Sequence, residues 1–365
     1  MSANPGKKVQ TSTSTIFYQT GKATAVIDKD LNLLYQVEFP FMYGEKEFNY
    51  DVANVLTDDG SWYYFGIQYT GKGDEKTGEY GYFETTPEGK TSEFKKVGFD
   101  KNYISEVYTE IVGDKLIQYG LWSKTFNLKT MSGTFYLEMD IKAQVKINVQ
   151  QFTEFTTEEL SQFIYNLNKS KVEKNGSISG IVPIVLEGDS GKFENGNYVS
   201  VFKRAERTFL QGYDISIGSI LVAQYGPKST DMINTIVLIN QHTPGQINFF
   251  SIGATLIDDK VVVLFNDHQS NANITTTGEP KLYDPVPLKT STTASYAVII
   301  NSTGEAKRFK LASLSEENII FKKLSPLKSE NGIVVMMKED PKVIEKNYNV
   351  SGDDELKSYL LEIQD

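Results

Sequence analysis

The chain holds two histidines, His242 and His268, and no cysteine, so acid–base or metal chemistry has few places to sit. His268 lies in the run FNDHQSNANI, just after an apolar strand pattern, with Asp267 before it and Asn271 and Asn273 after it. A His/Asp pair can move a proton or help hold a metal. Four polar side chains on one strand exit could also converge on a ligand at the mouth of a β-structure. Zinc usually takes more nitrogen or sulfur ligands than this segment supplies, and strand exits recruit Asp and Asn for backbone reasons alone. Asp267, His268, Asn271 and Asn273 are therefore candidate ligand-binding residues, with no catalytic residue, metal site or cofactor assigned. His242, in INQHTPGQ, precedes Pro244-Gly245 and reads as a turn residue.

Carboxylates are more plentiful. Asp58/Asp59, Asp189, Asp258/Asp259, Asp267 and Asp353/Asp354 all fall in expected loops. Glycoside hydrolysis needs two carboxyl groups at a set separation, but sequence spacing does not show convergence, and hairpin turns use Asp for their own geometry. No DxDxDG loop with a distal Glu marks a calcium site. The aromatic runs Trp62-Tyr63-Tyr64-Phe65 and Tyr80-Gly81-Tyr82-Phe83 could stack on a sugar or peptide. On a strand, however, alternate members face opposite sides, and both sides are covered when sheets stack. The KRAER run at 203–207 reads as a solvated strand face or loop, and the glycine-rich stretch 71–81 lacks the strand–glycine–helix context of a phosphate site.

The elements that position these residues are hairpins, recurring about every 50–60 residues on the period of β-repeat folds. One type is an apolar strand, a tight Asp/Gly turn and a strongly apolar strand: 55–66, 110–122 and 255–266. The other ends in an alternating, lysine-rich strand: 80–97, 134–149 and 295–311. The pattern implies an all-β fold, a β-propeller of five blades. Blades one to four run over 50–99, 104–152, 177–241 and 246–313. The fifth would be closed by joining 317–349 to 14–41, which protects both sheet edges. One connector helix is expected near 157–168, where Thr156 or Thr157 caps and Leu160, Phe163, Ile164 and Leu167 share a face. Residues 1–13 read as a flexible leader, 14–349 as a single propeller domain, and 350–365 as a tail with a short helix at 353–362.

Composition narrows the partners. The formal charge is −10 and only three arginines occur, which disfavours nucleic acid as a partner. No stretch approaches the ~20 apolar residues of a spanning helix. The first residues, MSANPGKKVQTSTST, lack the apolar core of a secretory signal, so a periplasmic or cell-surface protein with its signal removed and a cytoplasmic protein both stay open.

The order of short motifs carries a resemblance. DxxLNLxxxxxFPF (Asp28 to Phe41) is followed by DDGSWYYFG, KNYISEVYTEIVGDKLIQYGLWS and GTFYLEMD. NYVSVFKRAE, ISIGSILVAQY and VVVLFNDHQSN come later. Over about 26–345 the chain resembles a family of β-propeller-like proteins from Bacteroidetes cell envelopes, a family with no activity to transfer. The segment after LVAQY departs from the family pattern, since TDMINTIVLINQH has no tryptophan. The resemblance implies a non-catalytic scaffold that binds a protein partner. Two other readings stand beside it: a carbohydrate-binding or glycoside-processing propeller with its site at the axial mouth, and a structural component of a larger assembly such as a phage particle.

Overall fold

The structure, a computed structural model, describes residues 2–3, 6–10, 15–19, 21–27, 30–40, 42–43, 46–70, 77–99, 102–125, 130–141, 145–163, 178–184, 186–187, 191–208, 214–244, 252–283, 292–317, 319–321, 326–329, 332–339 and 356–361. Among these residues the protein is all-β, with several antiparallel sheets and one α-helix, α1 (Thr157–Phe163). The chain divides into two compact units, Met1–Phe152 and Thr153–Asp365, where the sequence suggests a single domain over 14–349.

In the first unit, three sheets stack face to face. Sheet I pairs Gly21–Ile27 with Leu33–Pro40 and adds Ser2–Ala3. Sheet II runs in the order Lys95–Lys96, Thr77–Thr85, Trp62–Thr70, Lys46–Leu56, Met42–Tyr43. Sheet III contains Tyr103–Val112, Lys115–Ser123, Gly133–Asp140 and Lys146–Glu154. Alternation in sheet II sends Trp62 and Tyr64 toward Val26 and Tyr35 of sheet I. Tyr63, Phe65 and Ile67 go to the opposite face, against Leu116, Phe135 and Leu137 of sheet III. The aromatic runs are thus core on both faces, as a period-two strand between two neighbours requires. Gly120 has φ +151°, and a Cβ there would lie 2.1 Å from the Glu106 carbonyl oxygen, where the Tyr103–Val112 strand bulges. Only glycine fits that approach.

The second unit repeats the arrangement. Sheet IV holds Ile181–Ile184, Tyr198–Thr208, Asp214–Tyr225 and Ile233–Val237, with Gln241–Pro244 also paired to Asp214–Tyr225. Sheet V runs Leu186–Glu187, Ile252–Ile257, Lys260–His268, Thr293–Asn301, Ala306–Ser313. Its first pair is parallel. Sheet VI pairs Gly332–Glu339 with Ile319–Phe321, Leu327–Ser329 and Leu356–Leu361. Val261, Val263 and Phe265 of sheet V join the core shared with sheet IV. Val262 and Leu264 join the core shared with sheet VI. At the Ile257–Lys260 turn Asp258 and Asp259 both take positive φ (44° and 58°), a geometry suited to a two-residue hairpin.

Helix α1 begins with a reciprocal cap, as its sequence implies. The Glu159 N–H donates to Thr156 Oγ1 (3.1 Å) and the Thr156 N–H to Glu159 Oε2 (2.5 Å). Residues 164–168 of the expected helix lie outside the described residues.

Four of the expected repeats coincide with sheets II to V, and among the described residues no sheet closes the expected fifth blade. The joining of 14–41 to 317–349 is absent from the described pairings, and each terminal hairpin belongs to a sheet of its own unit. Within 353–362 the sequence suggests a short helix. Residues Leu356–Leu361 form a strand instead and take an edge of Gly332–Glu339, with Tyr359 and Leu361 packed on the core between sheets V and VI. Within the expected leader 1–13, Gly6–Gln10 pairs with Thr15–Gln19. The β-branched Val, Thr and Ile of that segment favour a strand where its polar composition suggested coil.

Candidate functional site

Two of the four expected ligand-binding side chains, those of Asp267 and Asn271, do converge, but on each other. Asp267 follows Val261, Val263 and Phe265 on the inward register of its strand, so its carboxylate points into the unit rather than to water. Asp267 and Asn271 are wholly buried. Asp267 Oδ1 accepts from the His268 N–H (2.8 Å) and from Asn271 Nδ2 (3.0 Å). Its Oδ2 accepts from Arg308 Nη1 (3.1 Å), whose side chain is 1% exposed. Asn271 also makes a two-bond pair with the Lys281 backbone, donating to its carbonyl at 2.9 Å and accepting from its N–H at 2.8 Å. His268 Nδ1 accepts from the Ser270 N–H (3.1 Å), which fixes the turn Gln269–Asn271. Asn273 is exposed on the chain that follows.

Arg308 is the residue that sequence reasoning missed. Its guanidinium lies 5.0 Å from the Phe265 ring centre and 5.2 Å from that of Tyr296. It also donates to the carbonyls of Asn271 (2.8 Å) and Leu238 (2.7 Å). One side chain therefore ties sheet V to the turn after His268 and to the end of sheet IV. A signal was available: Arg308 shares the register of Ala306, which packs on the core between sheets IV and V.

Electrostatics follow from this burial. Loss of water pushes the Asp267 carboxyl up to about 6, and the Arg308 charge and three hydrogen bonds only partly offset it. The same burial pulls the Arg308 guanidinium below its ordinary value. Burial, and secondarily the charge of Lys281, lowers the His268 imidazole below its ordinary value.

The remaining candidates scatter. His242 lies in the strand Gln241–Pro244, not in a turn, and its N–H donates to the Tyr283 carbonyl (3.0 Å). Arg204 of the KRAER run is buried, not solvated. Its Nη1 donates to the Phe163 carbonyl (2.8 Å) and its Nε to the Ser179 carbonyl (3.3 Å), so a cation closes the C-terminal end of α1. Asp189, Asp353 and Asp354 lie outside the described residues. Among the described residues, no group of three or more His, Asp or Glu side chains could hold a metal ion, and no helix is long and apolar enough to cross a membrane.

Asp58 and Asp59 have a different setting. They line a cleft of about 620 Å³ in the first unit, together with Leu56, Tyr63, Glu84, Ile111 and Asp114. Two hairpin turns of the first repeat type form its walls, one from sheet II and one from sheet III. Asp59 Oδ1 accepts from Thr57 Oγ1 (2.6 Å) and the Ser61 N–H (3.0 Å), and these bonds hold its carboxyl below the usual range. Gly60 takes φ +86° to close that turn, and Tyr35 donates to its carbonyl (2.9 Å). Glu84 is paired with Lys95 (2.7 Å). Among the described residues no lysine or arginine pairs with Asp58 or Asp59. Asp58 and Asp59 are exposed at the turn, while the buried cluster of the second unit has its polar atoms turned inward.

No family model matches the chain, and no curated protein matches it. Among solved structures it is similar to an exo-β-1,3-galactanase from Clostridium thermocellum, with a TM-score of 0.25 and 9% identity, covering 92% of this chain and 64% of that one. The chain thus spans less than two thirds of that protein's length, and a likeness of this size bears on neither fold nor chemistry.

Proposed function

We propose that the chain is a non-catalytic binding module that engages a protein partner, its stacked sheets serving as propeller blades. One observation carries this reading. The carboxylate of the His/Asp pair is sealed: Asp267 accepts three hydrogen bonds from protein donors, and Asn271 pairs with the Lys281 backbone. A general acid or base must reach a substrate proton, and a wholly buried carboxylate bonded on both oxygens does not. Stacked sheets with polar hairpin turns at their ends instead offer a rigid frame for loop-borne recognition. A setting in a bacterial cell envelope rests on the sequence resemblance and belongs to the same proposal.

Affinity capture with the tagged full chain, from separate envelope and soluble fractions of its source, tests this reading. A stoichiometric protein partner in one fraction is the expected result, and that fraction identifies the compartment. Release of reducing sugar from β-linked polysaccharides that disappears in Asp267→Asn and His268→Ala would overturn it.

A further inference from the structure

Sheets II, III and V each end in a strand that carries lysine: Lys95–Lys96, Lys146–Glu154 and Ala306–Ser313, the last with Lys307 and Lys310. Lysine on an end strand keeps other chains from adding to the sheet. Sheet IV ends differently. Residues 233–243 (INTIVLINQHT) include no lysine, arginine, aspartate or glutamate. An uncharged run rich in isoleucine at a sheet edge is adhesive when bare. Here it is covered by the segment that leaves sheet V after His268. The Leu238 N–H donates to the Thr275 carbonyl (2.7 Å), the Tyr283 N–H to the Asn240 carbonyl (2.8 Å) and the His242 N–H to the Tyr283 carbonyl (3.0 Å). Residues 238, 240 and 242 alternate, so these groups form one row along one side of the chain. Gln162 Nε2 of α1 adds a bond to the Thr276 carbonyl (3.0 Å).

The covering segment is fastened at its ends and lightly held between them. None of residues 272–279 is buried. The neck closes where Asn271 pairs with the Lys281 backbone, and Asp267 and Arg308 fix Asn271 in turn. A compact loop with adjoining ends, held by polar bonds rather than apolar burial, opens at lower cost than the sheets beside it. We propose that residues 271–283 are a guard strap over an adhesive sheet edge, and that a second copy of this chain pairs with that edge when the strap opens. The edge is its own complement. In an antiparallel pairing centred on Asn240, residue 238 of one copy stands opposite residue 242 of the other, as a two-fold interface requires. No charge in 233–243 opposes its counterpart, although the chain as a whole carries −10. The buried cluster around Asp267 thereby acquires a role beyond packing, as the latch of the strap.

The test uses the full chain and Asn271→Ala, which removes the Lys281 pair and the bond to Asp267. Native-state hydrogen exchange reads the strap, and sedimentation at rising protein concentration reads the pairing. In N271A the Leu238 and His242 amides should exchange at least about tenfold faster than in the wild type, while those of the Lys260–His268 strand keep their rates. The wild type should stay monomeric and N271A should dimerise with concentration. Adding His242→Lys, which places a charge on the edge, should return N271A to a monomer. Dimers that H242K does not reverse would come from misfolding and overturn the proposal. A variant that exchanges faster yet stays monomeric at every concentration would overturn the pairing, whichever other chain takes the edge. Should N271A not fold, the wild type decides. Leu238 exchange faster than that of the Lys260–His268 strand supports the strap, and exchange only through global unfolding overturns it.

Discussion

Asp267 and Asp59 each sit where a β-strand gives way to a turn, and each accepts a nearby backbone N–H and a side-chain donor on the same oxygen. Their settings differ in water. Asp267 is wholly buried beside Arg308, and burial pushes its carboxyl up. Asp59 is exposed, and its hydrogen bonds hold its carboxyl down. The same side chain is therefore a structural member in the second unit and a surface charge in the first. Register makes the difference: Asp267 lies on the face of its strand that neighbours a second sheet, while Asp59 lies in the turn beyond sheet II.

The largest test of that contrast is Arg308→Leu. It leaves the Asp267 charge without its partner and the Leu238 carbonyl without the Arg308 donor, while the Asn271 carbonyl keeps the Ile274 N–H. Breaking a buried pair from one side costs about 3–5 kcal/mol, and the denaturant midpoint should fall accordingly. A loss under about 1 kcal/mol would show that the cluster is solvated. Arg204→Met comes next. It strands the Phe163 and Ser179 carbonyls, at about 1–3 kcal/mol.

Asp267→Asn probes the raised carboxyl directly. The folded value of about 6 lies above the ordinary 3.8. The resulting contribution to stability is fully present below the ordinary value and is lost as pH rises through about 6. An uncharged amide at this position carries no such dependence, so the wild-type advantage over D267N should be largest near pH 4 and shrink toward pH 7. Denaturant midpoints of both proteins across that range measure it, and a constant difference would contradict the burial of Asp267. For Asp59 the sign reverses, because its value is lowered. Its contribution holds above the ordinary value and is lost only as pH falls below it, so Asp59→Ala should show a flat difference between pH 5 and 7.

How much of this was legible in the sequence depends on the distance between the partners. The turns at Asp58–Gly60 and Asp258–Asp259, the alternation of Trp62 to Phe65 and the cap of α1 are local patterns, and they were readable as such. Leu356, Tyr359 and Leu360 fit helical spacing as well as a strand, and only the distant edge of Gly332–Glu339 decides between them. Arg308 looked like one more charge on a lysine-rich strand because Asp267 is 41 residues away. The cleft was invisible for the same reason: Asp59 and Asp114 meet through packing of sheet II on sheet III, not through any motif.

The smallest expected effect is the most discriminating. Asp58→Asn removes one exposed charge and no described hydrogen bond, so stability should change by less than about 0.5 kcal/mol. Thermal unfolding of the variant should overlay that of the wild type. A shift of several degrees would mean that Asp58 holds the turn, and the first unit would then use its acids structurally, as the second unit uses Asp267. An overlay would separate the two uses of a carboxylate within one chain. Stability should respond to the aspartate on the inward register and not to the aspartate at the turn.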